Sequence, residues 1–395
     1  MSGTRLHRAV IEFARLIYDP YIRIKYKYKF EKVDYRKGNF IALANHTTNL
    51  DSMILGISFK QHMYFVAGEQ LFRMGWISKL LRVFLNPIKR MKAKTEAKTA
   101  VNMLKALKAG HNICMFPEGS CTWNGETSTI IQSTAKLIKR AGVTMITYRV
   151  EGGYPTMPRW SKSIRPGRMT GAIGNIYEPD QLEKMTVEEI YKAICDDLYV
   201  NSINMSEKYE YKGKTLAENL ESALFICPEC HGISTYVSKD DMFTCSCGVK
   251  LRYDTHCRLN DVENKGFPFT SVLEWDNWQR DWIKMNIERL KEDPDKIITE
   301  DGCQDLYTYT EDETTEHMLT GSMALYPDRF VFRDNDNKKE IVVKLADITD
   351  IAIITMTTLT FSCSDIHYEI KCKIPRSALK YLLIATALSP MRYII

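Results

Sequence analysis

A chain of 395 residues is too long for one ordinary core and predicts two or three domains. Its 45% hydrophobic and 26% charged residues argue against disorder. No run of 18 apolar residues occurs, and the greasiest stretch, Trp76 to Leu85, is broken by Lys79 and Arg82, so no spanning helix is expected. The net charge of +5 conceals an asymmetry: residues 1–100 hold 19 Lys/Arg against 7 Asp/Glu, the remainder 35 against 42, which suits the first quarter to an anionic surface.

Residues 4–18 place Leu6, Val10, Phe13, Ala14 and Ile17 on one helical face, with Arg5, Arg8, Glu12 and Arg15 elsewhere. This predicts an amphipathic helix ending before Pro20, suited either to a membrane interface or to packing on the chain's own core. Arg23 to Phe30 alternates basic with apolar or aromatic residues and reads as a half-exposed strand with a cationic row. A short apolar run, Phe40 to Ala44, then delivers Asn45-His-Thr-Thr-Asn-Leu-Asp51, followed by a helix from Ser52 to Phe59. An imidazole becomes a useful base when a carboxylate fixes its tautomer and stabilises the imidazolium, and the turn lets Asp51 do this for His46. The pair has no nucleophile of its own, so the substrate would supply a hydroxyl or amine.

Met63 to Ala67 is a short buried-type strand, and the stretch around Trp76 to Phe84 an apolar helix. Residues 95–109 read as a helix with Ala97, Ala100, Val101, Leu104 and Leu107 inward, closed by Gly110. Asn112 to Phe116 is a core strand ending in the turn Pro117-Glu-Gly-Ser120, where glycine lets the backbone approach a ligand. A helix over 128–142 and a core strand over 143–150 follow. Pro155, Pro158 and Pro166 mark a long loop that exposes Arg159-Trp160 as an interfacial element. A capped helix from Thr186 to Val200 closes the domain.

His46-x4-Asp51 joined to Phe116-Pro-Glu-Gly-Ser120 resembles the glycerolipid acyltransferase family, typified by 1-acylglycerol-3-phosphate acyltransferases, over residues 35–200. The resemblance implies an α/β fold, a mixed sheet flanked by helices, and an O-acyltransferase. His46 would deprotonate the hydroxyl of a lysophospholipid, Asp51 would hold the imidazole, and the acyl group would come from a thioester on coenzyme A or acyl carrier protein. It also implies acceptor and phosphate binding by Arg90, Glu118, Gly119 and Ser120, with Glu118 accepting from a hydroxyl or anchoring Arg90. Lys92 and Lys94 extend the basic loop after Arg90. Where the family often carries an arginine after Ser120, this chain has Cys121. Phospholipid membrane is the implied partner surface, at the cytoplasmic face, with no nucleic acid expected. A catalytically silent lipid-binding adaptor of the same fold is the alternative.

Eleven cysteines without a signal-peptide core point to a reducing compartment with some of them on metal. Cys227-Pro-Glu-Cys230 and Cys245-Ser-Cys247 flank a hairpin-length segment and read as a zinc ribbon holding structural Zn²⁺. His231, His256 and Cys257 are possible substitute ligands. Trp275, Trp278 and Trp282 form a helical stripe within residues 270–292. Short alternating strands from Ser322 to Cys372 and a helix from Ser377 to Leu388 weakly resemble a pleckstrin-homology or GRAM-like domain. The expected organisation is an amphipathic segment over 1–30, an acyltransferase domain over 31–205, a zinc-ribbon-like segment over 222–256 and a β-rich domain over 268–395.

Overall fold

The computed structural model describes residues 4–68, 88–90, 96–309, 315–364, 366–372 and 377–389. The chain divides into two compact units, Met1–Arg159 with Ser163–Gly213, and Trp160–Lys162 with Lys214–Ile395.

The first unit is built on a mixed seven-stranded sheet of order β1-β7-β6-β2-β5-β3-β4. The strands are β1 (Tyr28–Phe30), β2 (Phe40–Ala44), β3 (Met63–Gly68), β4 (Ile88–Arg90), β5 (Asn112–Met115), β6 (Thr144–Glu151) and β7 (Met169–Tyr177). All five residues of β2 are buried, as expected of a central strand covered on both faces. Phe40, Ala42 and Ala44 enter one apolar cluster, and Ile41 and Leu43 the other. β2 pairs in parallel with β5 and β6, so the loops leaving β2 and β5 emerge at the same end of the sheet. That end, outside the carboxyl termini of parallel strands, is where open α/β sheets place ligands.

The helices of this unit are α1 (Thr4–Lys25), α2 (Asp51–Ser58), α3 (Glu96–Lys108), α4 (Ser133–Ala141) and α5 (Val187–Leu198), with shorter helical turns between them. α1 does not stop at Pro20. Proline's fixed φ suits a helix and removes one hydrogen bond, and the helix continues through Lys25. The expected strand over 23–30 therefore shrinks to Tyr28–Phe30. In α3 the inward stripe is Met103, Ala106 and Leu107, whereas Val101 faces solvent. The expected helix around Trp76 to Phe84, with Lys92 and Lys94, lies outside the described residues. Among the described residues no helix is long and apolar enough to cross a membrane.

The second unit contains two antiparallel sheets. One has four strands in the order β11-β10-β9-β8: β8 (Tyr236–Lys239), β9 (Met242–Cys245), β10 (Lys250–Tyr253) and β11 (Leu259–Asp261). The other has seven in the order β15-β14-β13-β12-β18-β17-β16, running from β12 (Thr299–Tyr309) and β13 (Thr315–Leu325) through β14 (Arg329–Asp334), β15 (Glu340–Lys344), β16 (Ile348–Ile353), β17 (Leu359–Cys363) and β18 (Ile366–Cys372). Helix α6 (Val272–Met285) starts with a capping box between Ser271 and Glu274. It buries Trp275 and Trp282, and the Trp275 indole donates to the Ile226 carbonyl at 2.9 Å. Helix α7 (Ala378–Leu388) buries Lys380, whose ammonium reaches Asp301 at 2.8 Å and Ser234 Oγ at 2.6 Å. Trp160 is fully buried against Tyr253 rather than exposed, because its indole is packed edge-on to that ring.

Candidate active site

β2 is followed by Asn45, whose buried amide donates to the Val150 carbonyl and accepts from the Val150 N–H, both at 2.8 Å. This clamp fixes where the chain leaves the sheet. His46 follows, and its Nδ1 lies 2.8 Å from Asp51 Oδ2. Asp51 is completely buried at the first turn of α2. Its Oδ2 also accepts from the Thr47 and Thr48 N–H groups at 2.6 and 3.0 Å, and its Oδ1 from Thr48 Oγ1 at 2.8 Å and Thr47 Oγ1 at 3.4 Å. A buried carboxylate persists only with such a set of donors. A carboxylate at Nδ1 places the proton there and leaves the Nε2 lone pair as the base.

The parallel neighbour β5 brings Phe116 to Ser120 alongside. The His46 ring stacks on Phe116 with centroids 4.3 Å apart. Glu118 is buried, and its two oxygens accept from the N–H groups of His46 and Ser128, both at 2.6 Å. It therefore braces the backbone of the histidine turn. Burial pushes its pKa up to about 7, against the lowering effect of those two amides. Gly119 adopts φ +74, which favours glycine. The Thr122 N–H donates to the His46 carbonyl at 3.0 Å, tying the two loops a second time.

Cys121 is the unexpected member of this cluster. Its Sγ is 3.3 Å from both ring nitrogens of His46. A sulfur equidistant from both nitrogens at that range must lie over the ring face, since in the ring plane it would collide with the carbon between them. It therefore does not occupy the in-plane Nε2 lone pair. Burial alone would lower the pKa of the imidazole, but Cys121 and the Asp51 carboxylate outweigh it and hold the pKa well above the ordinary histidine value.

Arg159 also lies at this turn, and the sequence motif did not reveal it. Its Nη1 donates to the Cys121 carbonyl at 3.1 Å and to Ser120 Oγ, while its guanidinium lies 4.5 Å from the Trp123 ring centre. A cation thus stands at the Ser120-Cys121 turn although the position after Ser120 carries none. Only its place in the proline-marked loop hinted at a role. β4 ends at Arg90, whose side chain lies outside the described residues.

In the second unit, Cys227, Cys230, Cys245 and Cys247 bring four sulfurs within 4.8 Å of one another. Cys227 and Cys230 precede β8, Cys245 ends β9, and Cys247 sits in the turn to β10. Two of the Sγ pairs, Cys227–Cys247 and Cys230–Cys245, are 3.8 and 3.9 Å apart. Four thiols converging at that separation are a donor set that fits a tetrahedral ion.

Residues 24–151, from the end of α1 through β6, match the model of the family described as Acyltransferase. A 1-acyl-sn-glycerol-3-phosphate acyltransferase of Borreliella burgdorferi is 25% identical over 115 residues, 28% of this chain and 45% of the relative. The chloroplastic 1-acyl-sn-glycerol-3-phosphate acyltransferase LPAT1 of Arabidopsis thaliana is 25% identical over 130 residues, 31% of this chain and 35% of the relative. The chain thus spans less than half the length of these curated relatives. Among solved structures, the 1-acyl-sn-glycerophosphate acyltransferase PlsC of Thermotoga maritima aligns with a TM-score of 0.40 and 18% identity, over 51% of this chain and 79% of that one.

Proposed function

We propose that the first unit transfers a fatty acyl group from a thioester, on coenzyme A or acyl carrier protein, to the hydroxyl of a lysophospholipid resembling 1-acylglycerol-3-phosphate. The observation that carries this reading is the buried Asp51 carboxylate on His46 Nδ1 at 2.8 Å. It leaves Nε2 to take the acceptor's proton as the oxygen attacks the thioester carbonyl. The carbon–oxygen bond forms, the carbon–sulfur bond breaks, and the thiolate leaves with the proton from the imidazolium. Cys121, lying over the ring face, is not aligned to give its proton to Nε2, so the substrate hydroxyl is the nucleophile.

Arg159 supplies the cation for an acceptor phosphate at the Ser120-Cys121 turn, a task suited to a guanidinium fork. Glu118 holds the histidine turn in place. The chain works at an anionic membrane surface on the cytoplasmic side. The support for this is the basic first quarter and the exposed Phe13, Leu16, Ile17 and Ile24 of α1. The four cysteines hold a structural Zn²⁺, a closed thiolate set with no open position for chemistry.

The test is acyl transfer from a long-chain acyl-coenzyme A to 1-acylglycerol-3-phosphate, read by mass spectrometry. Turnover should fall by roughly 10²–10⁴ in His46→Ala, the usual worth of a general base. Wild-type turnover in that variant would end the mechanism.

A further inference from the structure

β1 pairs in parallel with β7, Tyr28 lying opposite Met169, so Lys27 and Arg168 stand side by side just before the two strands. β7 runs antiparallel to β6, with Thr170 opposite Glu151, and β6 runs parallel to β2. The start of β7 is therefore at the same end of the sheet as His46. β1 is three strand spacings from β2, about 14 Å along the sheet.

At this corner Lys27, Lys29, Arg168 and Lys212 line a cavity of about 450 Å³, together with Tyr209 and Glu210. The Glu210 carboxylate is taken by Lys212 at 2.8 Å. Among the described residues, Lys27, Lys29 and Arg168 have no carboxylate partner. The wall is fixed rather than loose: the Tyr211 hydroxyl donates to the Arg168 carbonyl at 2.7 Å, and a Cβ on Gly167 would fall 2.2 Å from the buried Tyr211 ring. Cations without counter-charges around a concave space raise the local concentration of anions.

We infer that this cavity binds the phosphate groups of the acyl donor, the diphosphate and ribose phosphate of coenzyme A, an assignment that rests on the acyl-transfer reading of the His46 site. Distance makes the choice among phosphate sources. The acceptor carries its phosphate next to the reacting hydroxyl, so that phosphate must lie beside His46. In coenzyme A the pantetheine arm separates the thioester from the phosphates, and only such a ligand spans from His46 to β1. The Tyr209 ring, with the Arg168 guanidinium 5.2 Å from its centre, offers a flat face for the purine.

The experiment compares the full chain with the double variant Lys27→Glu/Lys29→Glu. Each is titrated with adenosine 3',5'-bisphosphate, with inorganic phosphate, and with vesicles of phosphatidylglycerol in phosphatidylcholine. The bisphosphate should bind the wild type in a salt-sensitive manner and the variant about tenfold or more weakly, as expected for lost charge-assisted contacts. Inorganic phosphate should bind more weakly than the bisphosphate, and vesicle binding, to which the two lysines contribute only as part of the basic first quarter, should fall by less than bisphosphate binding. In kinetics the KM for acyl-coenzyme A should rise with kcat unchanged, and the KM for the matching acyl-pantetheine should not move. Lys27 sits at φ +49, so Arg168→Glu is the second variant should the first fail to fold. Equal bisphosphate affinity in wild type and folded variant overturns the assignment. A loss confined to vesicles does so too and makes the cavity a headgroup site. Absence of any acylated product from the wild type would instead overturn the acyl-transfer reading, while the bisphosphate titration still decides the cavity.

Discussion

Replacing Asp51 separates its two tasks, because its two oxygens have different kinds of partner. Oδ2 accepts from three N–H groups, those of His46 Nδ1, Thr47 and Thr48, whereas Oδ1 accepts from two hydroxyls. Alanine leaves all three N–H donors unpaired in a buried place, at about 1–3 kcal/mol each. Offset by the carboxylate no longer desolvated, the expected loss is roughly 3–6 kcal/mol. For a unit of about 200 residues, this lowers Tm by roughly 6–24 °C. Asparagine can place its carbonyl at the Oδ2 position and keep the three N–H bonds. Its amide then faces Thr47 and Thr48 hydroxyls, which accept as readily as they donate. Asp51→Asn should therefore stay within about 1 kcal/mol of wild-type stability. Catalysis should behave differently, because a neutral amide does not stabilise the imidazolium, and turnover should fall by roughly 10²–10⁴ in both variants. Calorimetric unfolding and acyl transfer to 1-acylglycerol-3-phosphate measure the two effects on the same samples. An asparagine variant as unstable as the alanine one would refute the assignment of the oxygens, and wild-type turnover would refute the role of the charge.

The raised pKa of His46 has a direction in pH. A protonated imidazole is no base, so kcat/KM should climb with pH through a limb above the ordinary histidine range, and the residual activity of Asp51→Asn should show that limb moved down, because the carboxylate charge that helps raise it is gone. The same shift contributes stability at pH below the unfolded histidine value, which is lost as pH rises through the folded one. Metal analysis of the purified chain should find zinc that Cys230→Ser and Cys245→Ser reduce. At free zinc of about 1,000 times its Kd, the ion adds about 4 kcal/mol to the unit that holds it. Chelation should then lower that unit's Tm by roughly 8–16 °C. On α1, Leu16 and Ile24 are 74% and 78% exposed. Leu16→Glu and Ile24→Glu should each weaken sedimentation with anionic vesicles by about tenfold, with Tm unchanged.

The histidine turn was legible because its chemistry is local: His46, Asp51 and the chain between them supply the ion pair and most donors to the carboxylate. The position of Glu118 in the same cluster followed from its motif, but its task did not, since its partners are the backbone amides of His46 and Ser128. Hydrophobic period found α3 and the buried Leu107 but turned Val101 inward where Met103 is buried, because both are apolar and only packing decides between them. β12 went unread for a different reason. Thr299 to Asp305 is acidic and carries a glycine, poor strand chemistry that the pairing of β12 with both β13 and β18 overrides. Pro20 misled in the opposite sense: one lost hydrogen bond did not end α1.

Arg159 shows what a linear motif cannot hold. The position after Ser120, where the resembling family often has an arginine, is occupied here by a cysteine, and on sequence alone the turn looks short of positive charge. Folding returns a guanidinium to that turn from 39 residues away, held by the Ser120 hydroxyl, the Cys121 carbonyl and the face of Trp123. An arginine held by three neighbours is already ordered before any anion arrives, so little side-chain entropy remains to be lost on binding. Arg159→Lys would keep the charge but neither the fork nor the aromatic contact. It should therefore raise the KM for a phosphate-bearing acceptor nearly as much as Arg159→Gln does, while leaving the KM for the acyl donor alone. Equal acceptor KM in lysine variant and wild type would mean that a point charge suffices at this turn.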